Sequence, residues 1–112
     1  MTGRWRIVAM SSRDRDAIDL MEPGFIEFDT DGTGQFGFIA VYGQLDCRPA
    51  ERGGRTGVEF TWDGSDEGDP VSGRGWAVLV DTETLEGHLF FHLGEDSTFR
   101  ATPFTVDDEM AG

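Results

Sequence analysis

Two acidic segments of the chain begin like a calcium-binding loop: residues 29–34 read DTDGTG, and residues 63–68 read DGSDEG. In such a loop, a bidentate carboxylate at the twelfth position completes the coordination of the ion. The twelfth position is Ala40 for the first segment and Arg74 for the second, and neither residue supplies a carboxylate. We therefore expect a hairpin turn at 29–34, a solvated acidic loop at 63–72, and no bound metal or other cofactor. A loosely held cation would use the carboxylates of the second segment, Asp63, Glu67 and Asp69.

Polar side chains within predicted strands are the best candidates for a binding site. Alternate residues of a strand face opposite sides of the sheet, so the sequence leaves open how many of these side chains point inward. Several inward polar groups would form a buried network or a small polar pocket. Asp46 is one of these polar strand residues. The candidate ligand-binding residues are the others: Arg48, Glu59, Arg74, His92 and Arg100.

Residue arrangements typical of an enzyme are missing from the sequence. His88 and His92 lie four residues apart on one predicted strand, roughly 13 Å, whereas one ion binds its ligands at about 2 Å. Residues 72–75 read SGRG and lack the lysine and glycine spacing of a phosphate-binding loop. Cys47 has one acidic and one basic neighbour, a near-neutral setting for its thiol. An enzyme is therefore the least favoured class, and no catalytic residue is predicted.

The charge of the chain limits its partners. There are 22 acidic residues against nine basic ones, all arginine, which gives a net charge of −13. Residues 57–112 hold 13 of the acids and only two of the arginines. Such a surface repels a phosphate backbone, so we expect no nucleic-acid partner. It attracts basic proteins, and strands five to eight are expected to present an acidic face to one.

Cysteine usage and hydropathy bear on the compartment. Cys47 is the only cysteine, so no internal disulfide forms. The first ten residues, MTGRWRIVAM, contain no apolar stretch of signal-peptide length. No apolar run approaches about 18 residues, so no membrane-spanning helix is expected. We expect a cytoplasmic protein, either a monomer or a homodimer.

Hydrophobic alternation indicates an all-β chain of 112 residues. The predicted strands cover residues 5–10, 25–28, 35–42, 44–48, 57–62, 73–81, 85–93 and 98–106, and a short helical segment covers 13–21 with Ser11 or Ser12 as its cap. An open meander of eight short strands would expose two long edges, so we expect a single antiparallel up-and-down sheet that closes into an eight-stranded barrel. The barrel domain comprises residues 1–106, and residues 107–112 form an acidic, flexible tail.

The predicted core is aromatic. Nine phenylalanines and three tryptophans could fill the narrow interior of an eight-stranded barrel, which argues against a large cavity. The sixth strand is apolar on both faces, so its inward side is left open. Period-two spacing predicts burial of Phe36, Phe38, Phe60, Trp62, Leu89 and Phe91.

Gly3-Arg4-Trp5 at the start of strand one resembles the Gly-x-Trp opening of lipocalin-like barrels, and with Thr2 it resembles the opening of avidin-type barrels. In those families the tryptophan packs across the closed end, often under an arginine of the last strand, and Arg100 has the matching place. Six segments resemble a group of small uncharacterised bacterial proteins, which implies no function: GRWRIVAM, DRDAIDL, GQLDCR, VEFTWDG, SGRGWA and HLGEDSTF.

Two functions follow from these observations. The first is a non-catalytic binding or protein-interaction module that uses an acidic surface. The second is a lipocalin-like barrel that binds a small ligand at a polar site. A filled interior would argue against a ligand inside the barrel, whereas a polar pocket above about 300 Å³ would favour the second function.

Overall fold

The computed structural model describes residues 1–111, with the side chains of residues 1–108. Eight antiparallel strands pair in chain order, and β1 pairs with β8 to close the barrel. The predicted all-β, up-and-down, closed eight-stranded barrel is therefore confirmed. The strands are β1 Gly3–Met10, β2 Phe25–Phe28, β3 Thr33–Phe38, β4 Val41–Arg52, β5 Arg55–Asp66, β6 Asp69–Asp81, β7 Thr84–Phe91 and β8 Asp96–Pro103.

The two central hairpins are longer than the sequence predicts. Residues 49–56 and 63–72, which were expected to be loops, lie mostly within β4, β5 and β6. The β4–β5 hairpin turns only at Gly53-Gly54, where φ is 58° and 77°. Two successive positive φ angles give the tight turn whose twist suits an antiparallel pair, so strand pairing extends up to it.

The predicted strands at 35–42 and 44–48 require a reversal at Gly43, and this is wrong, because β3 and β4 reverse at Ile39 and Ala40 instead. Gly43 lies within β4, opposite Phe36. A Cβ atom at Gly43 would collide with the Phe36 ring. Its glycine character therefore serves core packing instead of a turn.

Aromatic rings fill the interior. Predicted burial is confirmed for Phe36, Phe38, Phe60, Trp62 and Leu89. Phe91 is half-buried and packs edge-on against Trp62, with ring centroids 5.1 Å apart.

The structure shows which face of strand β6 points inward, a question that the sequence leaves open. Its small residues Gly75 and Ala77 face the core, and Gly75 makes room for the Phe60 ring, which would lie 2.6 Å from an added Cβ. Arg74 and Trp76 therefore face outward. The bulkiest side chain of the strand thus lies on the outer surface of the barrel.

The segment after β1 covers one end of the barrel. Helix α1 spans only Arg15–Ile18, shorter than predicted, and Ile18 is completely buried in the core. Asp14, and not a serine, caps the helix by accepting a hydrogen bond from the Ala17 amide at 2.8 Å. Ser11 and Ser12 instead hydrogen-bond to residues of β8.

The C-terminal residues differ from the expected loose tail. Val106–Ala111 forms helix α2, although the expectation for Gly112 lies outside the described residues. Asp108 binds the guanidinium of Arg6 at 3.0 Å, and Asp19 binds the same group at 2.5 Å. Arg6 is buried, so these two carboxylates neutralise a charge that would otherwise be costly to bury. No helix within the described residues is long and apolar enough to cross a membrane.

Replacing Phe60 with alanine should lower the free energy of unfolding by about 3–5 kcal/mol, because it leaves a cavity in a closed interior. Gln44→Ala, on the outer face of β4, is the matched control and should change the free energy by less than about 0.5 kcal/mol. Urea denaturation of both variants measures the difference. Equal shifts of the two midpoints would contradict the assigned register.

Candidate functional site

Side chains fill the interior of the barrel, so a binding site is expected on its outer face. Antiparallel register fixes which outward side chains are neighbours there. Arg48 lies opposite Glu59, and Glu59 lies opposite Trp76. In the adjacent row, Thr61 lies between Asp46 and Arg74. The long hairpins predicted as loops thus bring β4, β5 and β6 together as one continuous outer surface.

A groove of about 300 Å³ opens on this surface. We call it the arginine groove. Its outward side chains combine three guanidinium groups, two carboxylates, a hydroxyl and an indole, and the buried residues Phe60 and Gly75 lie beneath them. They are Arg48, Arg52, Arg74, Asp46, Glu59, Thr61 and Trp76.

Aromatic rings hold two of the guanidinium groups. Arg52 lies over the Trp76 ring, 4.3 Å from its centroid, and Arg74 lies over the Phe90 ring at 4.4 Å. A guanidinium stacked in this way keeps its N–H groups free at its edge, where they can bind a carboxylate or phosphate. The stacking also restricts the side chains, so less conformational entropy is lost when an anion binds.

The arginines of this region have no acidic partner among the side chains that the structure describes. Among the side chains of residues 1–108, five arginines have a carboxylate oxygen within 4 Å. The other four lie on β4, β5 and β6, and three of them line the arginine groove: Arg48, Arg52, Arg55 and Arg74. In a chain with 22 acids, guanidinium groups without a carboxylate are available to an external anion.

A second groove, of about 470 Å³, adjoins the first. It runs between β6 and the turn after β7, and we call it the Leu93 groove. The two grooves share Thr61 and Arg74. The remaining side chains of the Leu93 groove are mostly apolar or aromatic: Ser72, Phe90, Phe91, His92 and Leu93.

The sequence-predicted site residues are only partly brought together. Arg48, Glu59 and Arg74 share the arginine groove, but they face outward instead of into the barrel. They do so because Phe60 and Trp62 occupy the inward positions of β5. His92 lies in the neighbouring Leu93 groove.

Arg100 is separate from this site. Its guanidinium binds Glu86 at 2.9 Å on the exposed outer face. Trp5 is buried in the core, and its neighbours on adjacent strands are Ile26 and Pro103. Arg100 therefore does not take the role over the tryptophan that the lipocalin-like opening implies.

Sequence reasoning missed Arg52, Trp76 and Phe90. Arg52 was placed in a loop, and Trp76 belongs to a strand that is apolar on both faces. Phe90 lies on the polar face of its strand, between His88 and His92, and was not singled out. His88 is a further member of this outer surface. Its ring stacks on Phe90 with centroids 4.3 Å apart, and its Nε2 atom lies 2.5 Å from the Asp96 carboxylate.

Each acidic segment contains a short turn between two paired strands. The hairpin turn predicted at 29–34 is formed by residues 29–32, and Thr33 at the start of β3 donates hydrogen bonds to Asp29 and Asp31. These bonds lower the pKa of Asp31. Of the other metal candidates, Asp63 and Asp69 lie in β5 and β6, and Glu67 lies in the turn between them. Within the described part of the chain, no three potential ligands come together around one point.

Cys47 faces the barrel interior and is half-buried. Burial raises the pKa of its thiol to about 11, and the nearby carboxylates of Asp46 and Asp29 act in the same direction. The thiol is therefore protonated at neutral pH. It is poorly suited to act as a nucleophile.

No protein-family model matches the chain, and neither a curated protein nor a solved structure is significantly similar to it. The resemblance to lipocalin-like and small bacterial barrels thus stays a prediction. The site must be interpreted from its own geometry.

Alkylation of Cys47 by iodoacetamide should be slow at pH 8 and should accelerate as the pH approaches 11. Only about one thousandth of a thiol with a pKa near 11 is ionised at pH 8, and the thiolate is the reactive form. The rate at each pH can be followed by mass spectrometry. A rate that reaches its plateau below pH 9 would contradict this assignment.

Proposed function

We propose that this protein is a non-catalytic binding protein that takes up an oxyanion, a carboxylate or a phosphate, in the arginine groove. One observation carries the proposal. Three guanidinium groups without a carboxylate within 4 Å line a single groove, among the side chains of residues 1–108 of a chain with net charge −13. Arginine edges are suited to bidentate contact with planar or tetrahedral oxyanions.

The net negative charge is compatible with this proposal. Screening limits the reach of a surface charge to about 8 Å at physiological ionic strength. Acids beyond that distance therefore act weakly on an anion in the groove. Inside it, three arginines face two carboxylates, Asp46 and Glu59, which leaves a local excess of positive charge.

The two carboxylates also fit a selective role. Each accepts hydrogen bonds, and Thr61 can both donate and accept them. A ligand that carries hydrogen-bond donors beside its anionic group would therefore form hydrogen bonds with more of the polar groups of the groove than a bare anion would. Such pairing gives specificity in addition to affinity.

A second candidate is an interaction module for a basic protein, as the acidity of residues 57–112 predicts. The acidity of one end of the barrel favours this candidate, because the β5–β6 turn and the β7–β8 turn both lie at that end. Arg13 forms an ion pair with Glu95 of the β7–β8 turn, and this hydrogen bond, with a smaller contribution from Asp66 at the β5–β6 turn, raises the pKa of Arg13. This surface is distinct from the arginine groove.

The location of the binding site on the outside modifies the lipocalin-like hypothesis. In that hypothesis the ligand enters the barrel, whereas here aromatic side chains occupy the interior. Our proposal retains a small polar ligand site on a barrel and places it outside. A cytoplasmic location stays part of this proposal, since a lone half-buried cysteine suits a reducing compartment.

Titration with sodium phosphate or sodium acetate at constant ionic strength tests the proposal. Trp76 is the half-buried tryptophan beside the groove, whereas Trp5 and Trp62 are buried, so its fluorescence reports binding. We expect a saturable change that Arg74→Gln weakens at least about tenfold, since a hydrogen bond to a charged group contributes about 1.5–3 kcal/mol. Arg100→Gln, the matched control, should bind as the wild type does.

Identical titrations for wild type and Arg74→Gln, or no saturable change with either anion, would overturn the proposal. Trp76→Phe should abolish the signal, which verifies its origin. Salt-sensitive binding of a decalysine peptide that Arg74→Gln leaves unchanged would instead favour the acidic interaction surface.

A further inference from the structure

We infer that the arginine groove and the Leu93 groove together bind one small organic anion that carries an apolar ring. The anionic group lies in the arginine groove, and the ring lies in the Leu93 groove. This inference rests on the proposed function and extends it by naming the class of ligand.

The two grooves are joined through shared residues. Arg74 and Thr61 belong to both, so no element of the fold separates them. The Arg74 guanidinium lies on the Phe90 ring, and Phe90 lines the Leu93 groove. A molecule whose anionic group binds Arg74 therefore has its remaining atoms next to an apolar surface.

Leu93 is the observation that points to an apolar ligand. Its side chain is 96% exposed, and its φ angle is 56°. A bulky residue in the left-handed region is strained, and an exposed leucine gains nothing from burial. Gly94 follows directly, so a residue suited to such a φ angle is available one position away. Two other hairpin turns also contain a residue with such a φ angle, Ile39 and Glu67. The turn at Leu93 differs from them in that it holds a fully exposed apolar side chain at the rim of a groove.

The aromatic lining of the groove favours a ring over a long chain. The groove is bounded by Leu93 in the turn between β7 and β8, at the end of the barrel. A ring can stack on an aromatic side chain of this lining, which an alkyl chain cannot do. Burial of the ring contributes affinity in proportion to the apolar area removed from water.

Isothermal titration calorimetry with four probes tests the inference: 1-naphthyl phosphate, inorganic phosphate, 1-naphthol and hexyl phosphate. We expect 1-naphthyl phosphate to bind at least tenfold more tightly than inorganic phosphate or 1-naphthol, since it fills both grooves. Hexyl phosphate should bind more weakly than the naphthyl ester. Tighter binding of hexyl phosphate would assign the groove to an alkyl chain and contradict the ring.

The variant Leu93→Asn separates the contribution of the Leu93 groove to affinity from that of the arginine groove. Asparagine tolerates a positive φ angle, so the melting temperature should be unchanged or raised. The variant should lose most of the affinity gain of 1-naphthyl phosphate and keep wild-type binding of inorganic phosphate. Leu20→Asn, which replaces another exposed leucine, is the matched control and should bind all probes as the wild type does.

The outcomes distinguish this inference from the proposed function. If phosphate binds but the naphthyl group adds no affinity, or if Leu93→Asn binds the ester normally, the ring site is wrong and the anion site stands. If neither phosphate nor its esters bind, the proposed function fails as well. A wild type that is dimeric by sedimentation, with a monomeric Leu93→Asn variant, would assign the Leu93 groove to a second copy of the chain and overturn the inference.

Discussion

Closure of eight strands around a narrow interior is the constraint on which the rest of the molecule depends. An interior of this width holds side chains alone, and here aromatic rings such as Phe36, Phe60 and Trp62 occupy it. Close packing requires glycine where a ring meets the backbone, as at Gly43 and Gly75. Because inward positions are used for packing, charged side chains of the same strands face outward. Binding chemistry is therefore displaced to the outer surface.

Among the side chains of residues 1–108, four arginines of the outer surface do not pair with a carboxylate, although acidic residues outnumber arginines in the sequence. Acidic groups lie in strands as well as in turns, among them Asp63 and Glu67, while arginines without a carboxylate partner in residues 1–108 lie on β4, β5 and β6. Stacking of Arg52 on Trp76 and of Arg74 on a second ring holds these cations in place of an ion pair. The resulting groove presents guanidinium edges to solvent in an otherwise acidic molecule.

The sequence predicts the barrel because alternation is strong in most strands, but it leaves the site incomplete. A two-residue turn at Gly53-Gly54 sets a register that places Arg48 opposite Glu59, and this signal is present in the sequence. Assigning residues 49–56 to a loop concealed it. The outward orientation of Trp76 could not be predicted from the sequence, because a strand that is apolar on both faces has no pattern that distinguishes its inward face from its outward face. Its orientation follows only once neighbouring rings have filled the core.

The central claim is that Trp76 lies in a locally positive groove on a protein of net charge −13. Collisional quenching of tryptophan fluorescence by iodide and by caesium, at matched ionic strength, tests it most directly, because Trp5 and Trp62 are buried. We predict stronger quenching by iodide than by caesium, and a reversal of that order when Arg48, Arg52 and Arg74 are all replaced by glutamine. Stronger quenching of the wild type by caesium, as the net charge alone implies, would contradict the account.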